Sequence, residues 1–172
     1  MTIRISVSVT NDPSMIAAMD VESLAERGLA VVPDFIAADV ARALREHALG
    51  REAEGAFRPA DVGRGDAKAQ RPDVRGDRIL WLDETAPARV EWPLVDALQK
   101  LRQRVNAALY LGLWDFEAHY AIYPPGAFYA RHRDRFASER PGVPSRILTF
   151  AVYLNDDWRA TDGGALRLHL DD

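Results

Sequence analysis

Between Glu91 and Leu111 apolar residues recur every three or four positions, and beyond Gly112 that spacing gives way to alternation. Leu94, Leu98, Leu101, Val105 and Leu109 fall on one face of a helix, and Gly112 is its stop signal. The runs 116–123 (FEAHYAIY), 127–134 (AFYARHRD), 145–155 (SRILTFAVYLN) and 164–170 (GALRLHL) then read as strands. Pro124-Pro125-Gly126, Asn155-Asp156-Asp157 and Thr161-Asp162-Gly163-Gly164 are the turn clusters between them. Helices first and antiparallel-looking strands after predict an α+β domain with helices packed on one side of a sheet.

The amino-terminal half carries weaker signals. Ile3, Ile5, Val7 and Val9 alternate with polar neighbours, a strand pattern isolated at the terminus. Ser14 or Asp20 caps an expected helix running to Arg27, with Gly28 as its stop. Residues 29–36 (LAVVPDFI) read as a short strand interrupted by Pro33, and 38–49 as a helix closed by Gly50. Residues 50–77 are rich in Gly, Arg, Asp and Ala and read as a long mobile loop, and 77–84 (DRILWLDE) returns to a strand. The expected organisation is an extension over 1–20, a helical support region over 21–112 and a strand-built core over 113–172.

With 172 residues, 48% hydrophobic and 28% charged, the chain is expected to form one globular domain. It has no cysteine, so any metal must sit on His, Asp or Glu. A formal charge of −4 argues against nucleic acid as a partner. No apolar run is long enough to span a membrane and no signal peptide is visible, which leads to an expectation of cytoplasmic residence.

The residues most able to carry chemistry are His132 and Asp134. On a strand, residues two apart share a face, roughly 6.5 Å apart along the backbone, so the two side chains could converge on one ion. A two-histidine, one-carboxylate face with open positions is how non-haem Fe(II) oxygenases hold their metal. The competing reading is a surface His beside a loop Asp. Alternation back from Tyr153 places Ile147, Thr149 and Ala151 with it, and alternation back from Tyr123 adds His119 and Ala121. Two tyrosines could then donate phenolic hydrogen bonds to a carboxylate in an apolar pocket, unless each is simply a core aromatic. His47 reads as a solvent-facing helix residue, and His119 as a packed one.

Taken together, ERGLAVVPDFI, VRGDRILWLDE, the long helix, YPPGAFYARHRD and YLNDDWRATDGGALRLH resemble the Fe(II)/2-oxoglutarate-dependent dioxygenases, in particular the prolyl 4-hydroxylase type that includes the hypoxia-sensing prolyl hydroxylases. The resemblance implies a double-stranded β-helix, or jelly roll, with supporting amino-terminal helices, its core beginning within 113–172. It matches His132 and Asp134 to iron ligands, and Tyr153 and Tyr123 to the 2-oxoglutarate pocket. Arg75, Asp77 and Trp81 match a segment at the substrate mouth, and Arg146 an arginine expected to pair with Asp77. It implies Fe(II), 2-oxoglutarate as cosubstrate, ascorbate as auxiliary reductant, molecular oxygen, and an amino acid, peptide or small metabolite as substrate.

The departures from the family pattern shape the expectation as much. Relatives place a second iron-binding His, then an Arg or Lys, downstream of the His-x-Asp, and neither position is present here. His169 stands where relatives carry an aromatic. The chain therefore reads as a truncated oxygenase, with an incomplete barrel, an unpaired strand edge at 145–154 or 164–170, and weak binding of Fe(II) and cosubstrate. Two alternatives remain beside it: a non-catalytic binding domain of the same fold that has lost its metal, and a cupin-type jelly roll, which would want more clustered histidines.

Overall fold

The computed structural model describes residues 2–5 (as backbone), 21–63, 68–134 and 146–169. Strands β1 (Thr2–Ile5), β2 (Arg58–Pro59), β3 (Arg78–Trp81), β4 (His119–Tyr123) and β5 (Val152–Tyr153) form one sheet in the order β2-β3-β4-β1-β5. Every pairing in it is antiparallel. Helices α1 (Val21–Arg27), α2 (Ala38–Ala53) and α3 (Trp92–Leu109) complete the described elements, with a 3-10 turn at Ala160–Asp162. Helices plus an antiparallel sheet is the α+β class expected from the change of periodicity.

The core lies between α2, α3 and one face of the sheet. Tyr120 and Ile122 of β4 and Leu94, Leu101 and Val105 of α3 are completely or almost completely buried, with Leu44 of α2 and Val152 of β5 beside them. Each such aliphatic side chain contributes about 1.5–3 kcal/mol by leaving water. The α3 stripe predicted from sequence is therefore the stripe that packs. Pro93 sits in its first turn, where a missing N–H costs nothing, and Tyr110 closes it in the left-handed region at φ 53°.

A buried polar cluster ties α2 to β4. Glu91 is 6% exposed, accepts Tyr120 Oη–H at 3.0 Å and the Ala88 N–H at 2.7 Å, and lies 3.6 Å from His47 Nε2. His47 thus faces inward, against the solvent-facing expectation. Its helix turns that position toward the start of α3, a tertiary neighbour that helical periodicity does not reveal. Burial and then Glu91 push the Tyr120 hydroxyl well above the usual phenol range.

Several sequence expectations are corrected. Residues 29–36 form a turn rather than a strand, because Pro33 has no N–H to pair and Asp34 adopts φ 51°. Gly50 does not close α2: the Glu54 N–H bonds to Gly50 O at 3.1 Å and the helix continues to Ala53. Residues 164–169 carry no strand, and in 146–155 only Val152–Tyr153 is one. Residues 145 and 170 lie outside the described set. The 50–77 stretch is not all loop, since α2 runs into it and β2 lies within it. Residues 2–5 of the isolated amino-terminal pattern do form a strand, between β4 and β5.

Candidate metal centre

The segment carrying His132 and Asp134 is not the strand expected. Residues 128–130 pair irregularly with 74–76, through Gly76 N–H to Phe128 O at 2.9 Å, Ala130 N–H to Val74 O at 2.8 Å, and a bridge between Arg75 and Tyr129. Gly76 permits this approach, for a Cβ there would meet the Ala127 Cβ at 3.3 Å. Beyond Ala130 the ladder ends, because its carbonyl is taken by a side chain: His132 Nδ1 lies 2.7 Å from Ala130 O.

The two side chains still converge. His132 Nε2 stands 3.0 Å from Asp134 Oδ1, and the imidazole stacks on Tyr129 at 3.6 Å between centroids with 13° between planes. A carbonyl oxygen only accepts, so Nδ1 carries a proton. A neutral ring then turns the Nε2 lone pair toward a carboxylate oxygen, two acceptors face to face. A second proton or a cation must lie between them. The contact with Asp134 raises the His132 pKa against the opposing effect of burial, while His132 first, and Thr149 after it, draw Asp134 down to about 2.

These donors fit a divalent ion. Two ligands at right angles, each about 2.1 Å from a metal, are about 3.0 Å apart. A ligating His commonly gives its other N–H to a carbonyl, as His132 does. Among the described residues no group of three or more His, Cys, Asp or Glu side chains converges, so the described donor set is this pair. His169 is exposed and carries no strand around it.

Around the pair, Asp77 is buried at 1% exposure and accepts two hydrogen bonds from Arg75, at 2.7 and 2.9 Å. Arg75 also lies over the Tyr129 ring, 4.6 Å from its centroid. Burial alone would lower the Arg75 pKa, yet the Asp77 contact outweighs it and the guanidinium is held more firmly protonated. The expected Asp77–Arg146 pair does not form: Asp77 is taken by Arg75 two residues away, and Arg146 pairs with Glu117. Trp81 is 50% exposed and packs on His119, 4.8 Å between centroids. Burial, followed by the charge of Arg75, lowers His119 to about 4.

Strand register fixes which residues share the site's face of the sheet. His119, Ala121 and Tyr123 alternate with the buried Tyr120 and Ile122, so they lie on the face away from the core. Tyr153 alternates with buried Val152 and Leu154 and shares that outer face. Its hydroxyl accepts the Leu166 N–H at 3.0 Å.

Comparison with known proteins places these observations. Residues 118–172 match the 2OG-Fe(II) oxygenase superfamily. Human Egl nine homolog 1 is 28% identical over 148 residues, covering 83% of this chain and 33% of that protein, and the rat protein of the same name is 27% identical. The chain thus spans about a third of the human relative and 42% of the rat one. A Pseudomonas putida prolyl-4-hydroxylase structure superposes with a TM-score of 0.63 at 43% identity, covering 70% of this chain and 62% of that one. On these comparisons the chain is similar to the prolyl hydroxylase-type 2-oxoglutarate/Fe(II) oxygenases.

Proposed function

We propose that this chain is an Fe(II)- and 2-oxoglutarate-dependent dioxygenase of the prolyl hydroxylase type, hydroxylating a C–H bond of an amino acid, peptide or small metabolite. The observation that carries the proposal is the His132–Asp134 pair, an N and an O donor 3.0 Å apart with the second ring nitrogen committed to Ala130 O. When bound, the iron supplies the oxidative chemistry, with 2-oxoglutarate and molecular oxygen as co-reactants.

The chain's own residues orient and exclude. His132 and Asp134 would hold the metal, and the Tyr129 ring stacked on His132 keeps the imidazole plane from rotating. Tyr123 and Tyr153, on the outer face of the sheet, are assigned to the cosubstrate. Arg75, Asp77 and Trp81 are assigned to the substrate side: the buried Arg75–Asp77 pair stiffens that wall, and half-exposed Trp81 offers an aromatic surface. Arg146, engaged by Glu117, borders the same side. A jelly-roll fold, ascorbate as the reductant that keeps the iron ferrous, and the reducing cytoplasm as the compartment belong to the same reading.

A second reading has one observation in its favour, the two-donor set among the described residues: a binding domain of this fold that no longer turns over. Succinate release from 2-oxoglutarate separates the two. Purified chain with Fe(II), ascorbate and oxygen should release succinate, and His132→Ala should abolish that release. Oxo-acid binding with no succinate above the His132→Ala level would establish the binding domain instead.

A further inference from the structure

His132 sits beyond the end of regular backbone pairing, so side-chain contacts must set its orientation. One is the Ala130 carbonyl, 2.7 Å from Nδ1. A single hydrogen bond fixes one ring atom and leaves the imidazole free to swing about it, carrying Nε2 along. A metal centre tolerates little of that motion, since its ligands must be held within roughly 0.5 Å and 10–20°. The second contact removes the freedom: the Tyr129 ring lies 3.6 Å from the imidazole, centroid to centroid, with 13° between planes. Flat against a flat neighbour, the imidazole turns only by losing that contact.

Tyr129 is in turn held from the sheet. Arg75 and Tyr129 stand opposite one another in an isolated antiparallel bridge, flanked by the Gly76 and Ala130 N–H bonds at 2.9 and 2.8 Å. Their side chains meet as their backbones do, with the guanidinium carbon 4.6 Å from the ring centroid. A guanidinium over an aromatic face is attracted by the ring's electron density. This one is fixed at its far end, because Asp77 accepts from Nε at 2.7 Å and from Nη2 at 2.9 Å. Asp77 is 1% exposed and directly precedes β3, whose register sets Arg78 opposite the core residue Ile122. A continuous series of contacts therefore runs from the sheet through Asp77, Arg75 and Tyr129 to His132.

We propose that Tyr129 and Arg75 are positioning residues for His132: the guanidinium braced by Asp77 holds the Tyr129 ring, and the ring holds the imidazole plane so that Nε2 faces the ion. This rests on the metal-centre reading above and adds to it a task for the buried Arg75–Asp77 pair, which sets metal affinity as well as stiffening the substrate wall. What the device requires of Tyr129 is its flat face, not its hydroxyl.

The test is the Mn(II) affinity of the full chain, with the visible spectrum of the Co(II)-loaded chain beside it. Tyr129→Phe keeps the face and should bind Mn(II) as the parent does. Tyr129→Leu keeps bulk without a flat face and should bind about 10-fold more weakly, as when a neighbour that orients a metal-bound His is lost. Its Co(II) bands at saturation should also move, a change that lost stability alone does not produce, while those of Tyr129→Phe match the parent. Removing Arg75 alone would strand the Asp77 carboxylate, so the paired variant Arg75→Gln/Asp77→Asn removes both charges and leaves the net charge unaltered. It should weaken Mn(II) roughly two- to fivefold, the worth of a cation over an aromatic face, and should add no loss in the Tyr129→Leu background. Unchanged affinity in Tyr129→Leu, equal losses in Tyr129→Phe and Tyr129→Leu, or a paired variant with no loss or with the same loss when the ring is absent would overturn the proposal and leave the metal centre standing. A parent chain that binds no Mn(II) would overturn both.

Discussion

Replacing Asp77 by alanine should be among the most damaging single changes outside the aliphatic core. The Asp77 carboxylate is 1% exposed and accepts both Arg75 hydrogen bonds, and the Arg75 side chain is itself only 15% exposed. Truncating one member leaves a guanidinium buried without its partner, at a cost of about 3–5 kcal/mol, most of it desolvation that is no longer offset. Replacing both, as Arg75→Met with Asp77→Leu, removes the charge along with its partner. That double variant should lie within about 2 kcal/mol of the parent, part of the deficit being the lost contact of Arg75 with the Tyr129 face. Urea unfolding followed by tryptophan fluorescence reads this directly, since Trp81 ends the strand that Asp77 leads into. Additive effects of the two single substitutions, or a loss below about 1 kcal/mol for Asp77→Ala, would show that the pair is solvated and refute the reasoning.

Three further outcomes are expected. His119, lowered to about 4 by burial, should make the fold acid-sensitive: its contribution is complete above pH 6.5, declines as the unfolded chain gains its proton first, and is lost by about pH 4. The ceiling is about 3 kcal/mol, and His119→Phe, still able to pack on Trp81, should flatten that limb in thermal melts across pH 4–7. Tyr120→Phe removes the hydroxyl that Glu91 accepts and should cost about 1–3 kcal/mol in urea unfolding. A measured cost near zero would mean that water replaces it. Gly76→Val places a side chain against Ala127, and should lower both stability and metal affinity by moving the 127–130 segment away from 74–76, which paired melts and metal titrations would detect.

The parts of the fold that sequence disclosed are those governed by local periodicity. The α3 stripe and the alternation of β4 each set a buried face without reference to distant residues, and the alternation put Tyr123 and Tyr153 on one side. Partnership was not legible. The pattern at residues 2–5 announces a strand, but nothing local tells it to enter between β4 and β5, more than a hundred residues away. His47 likewise meets Glu91 only through the packing of two helices. The Arg75–Asp77 pair did have a local signal, since an Arg-x-Asp spacing occurs at 64–66, 71–73 and 75–77, and the two that lie within the described residues both form ion pairs. A partner two residues away requires no loop to close, which is why it prevails over Arg146. His132 and Asp134 meet although their segment is not a strand, because the Ala130 carbonyl orients the imidazole where a ladder would otherwise have done so.

The most direct measurement is Mn(II) binding followed by the loss of its free-ion paramagnetic resonance signal, with and without 2-oxoglutarate. Two protein donors alone should bind the ion weakly, and 2-oxoglutarate should tighten it by roughly tenfold or more, since the acid adds donors to the metal and brings its own contact with the sheet. His132→Ala and Asp134→Ala should each remove the binding and the enhancement. Mn(II) binding that is the same in parent and both variants, or that ignores 2-oxoglutarate, would contradict the assignment of this pair as the metal centre.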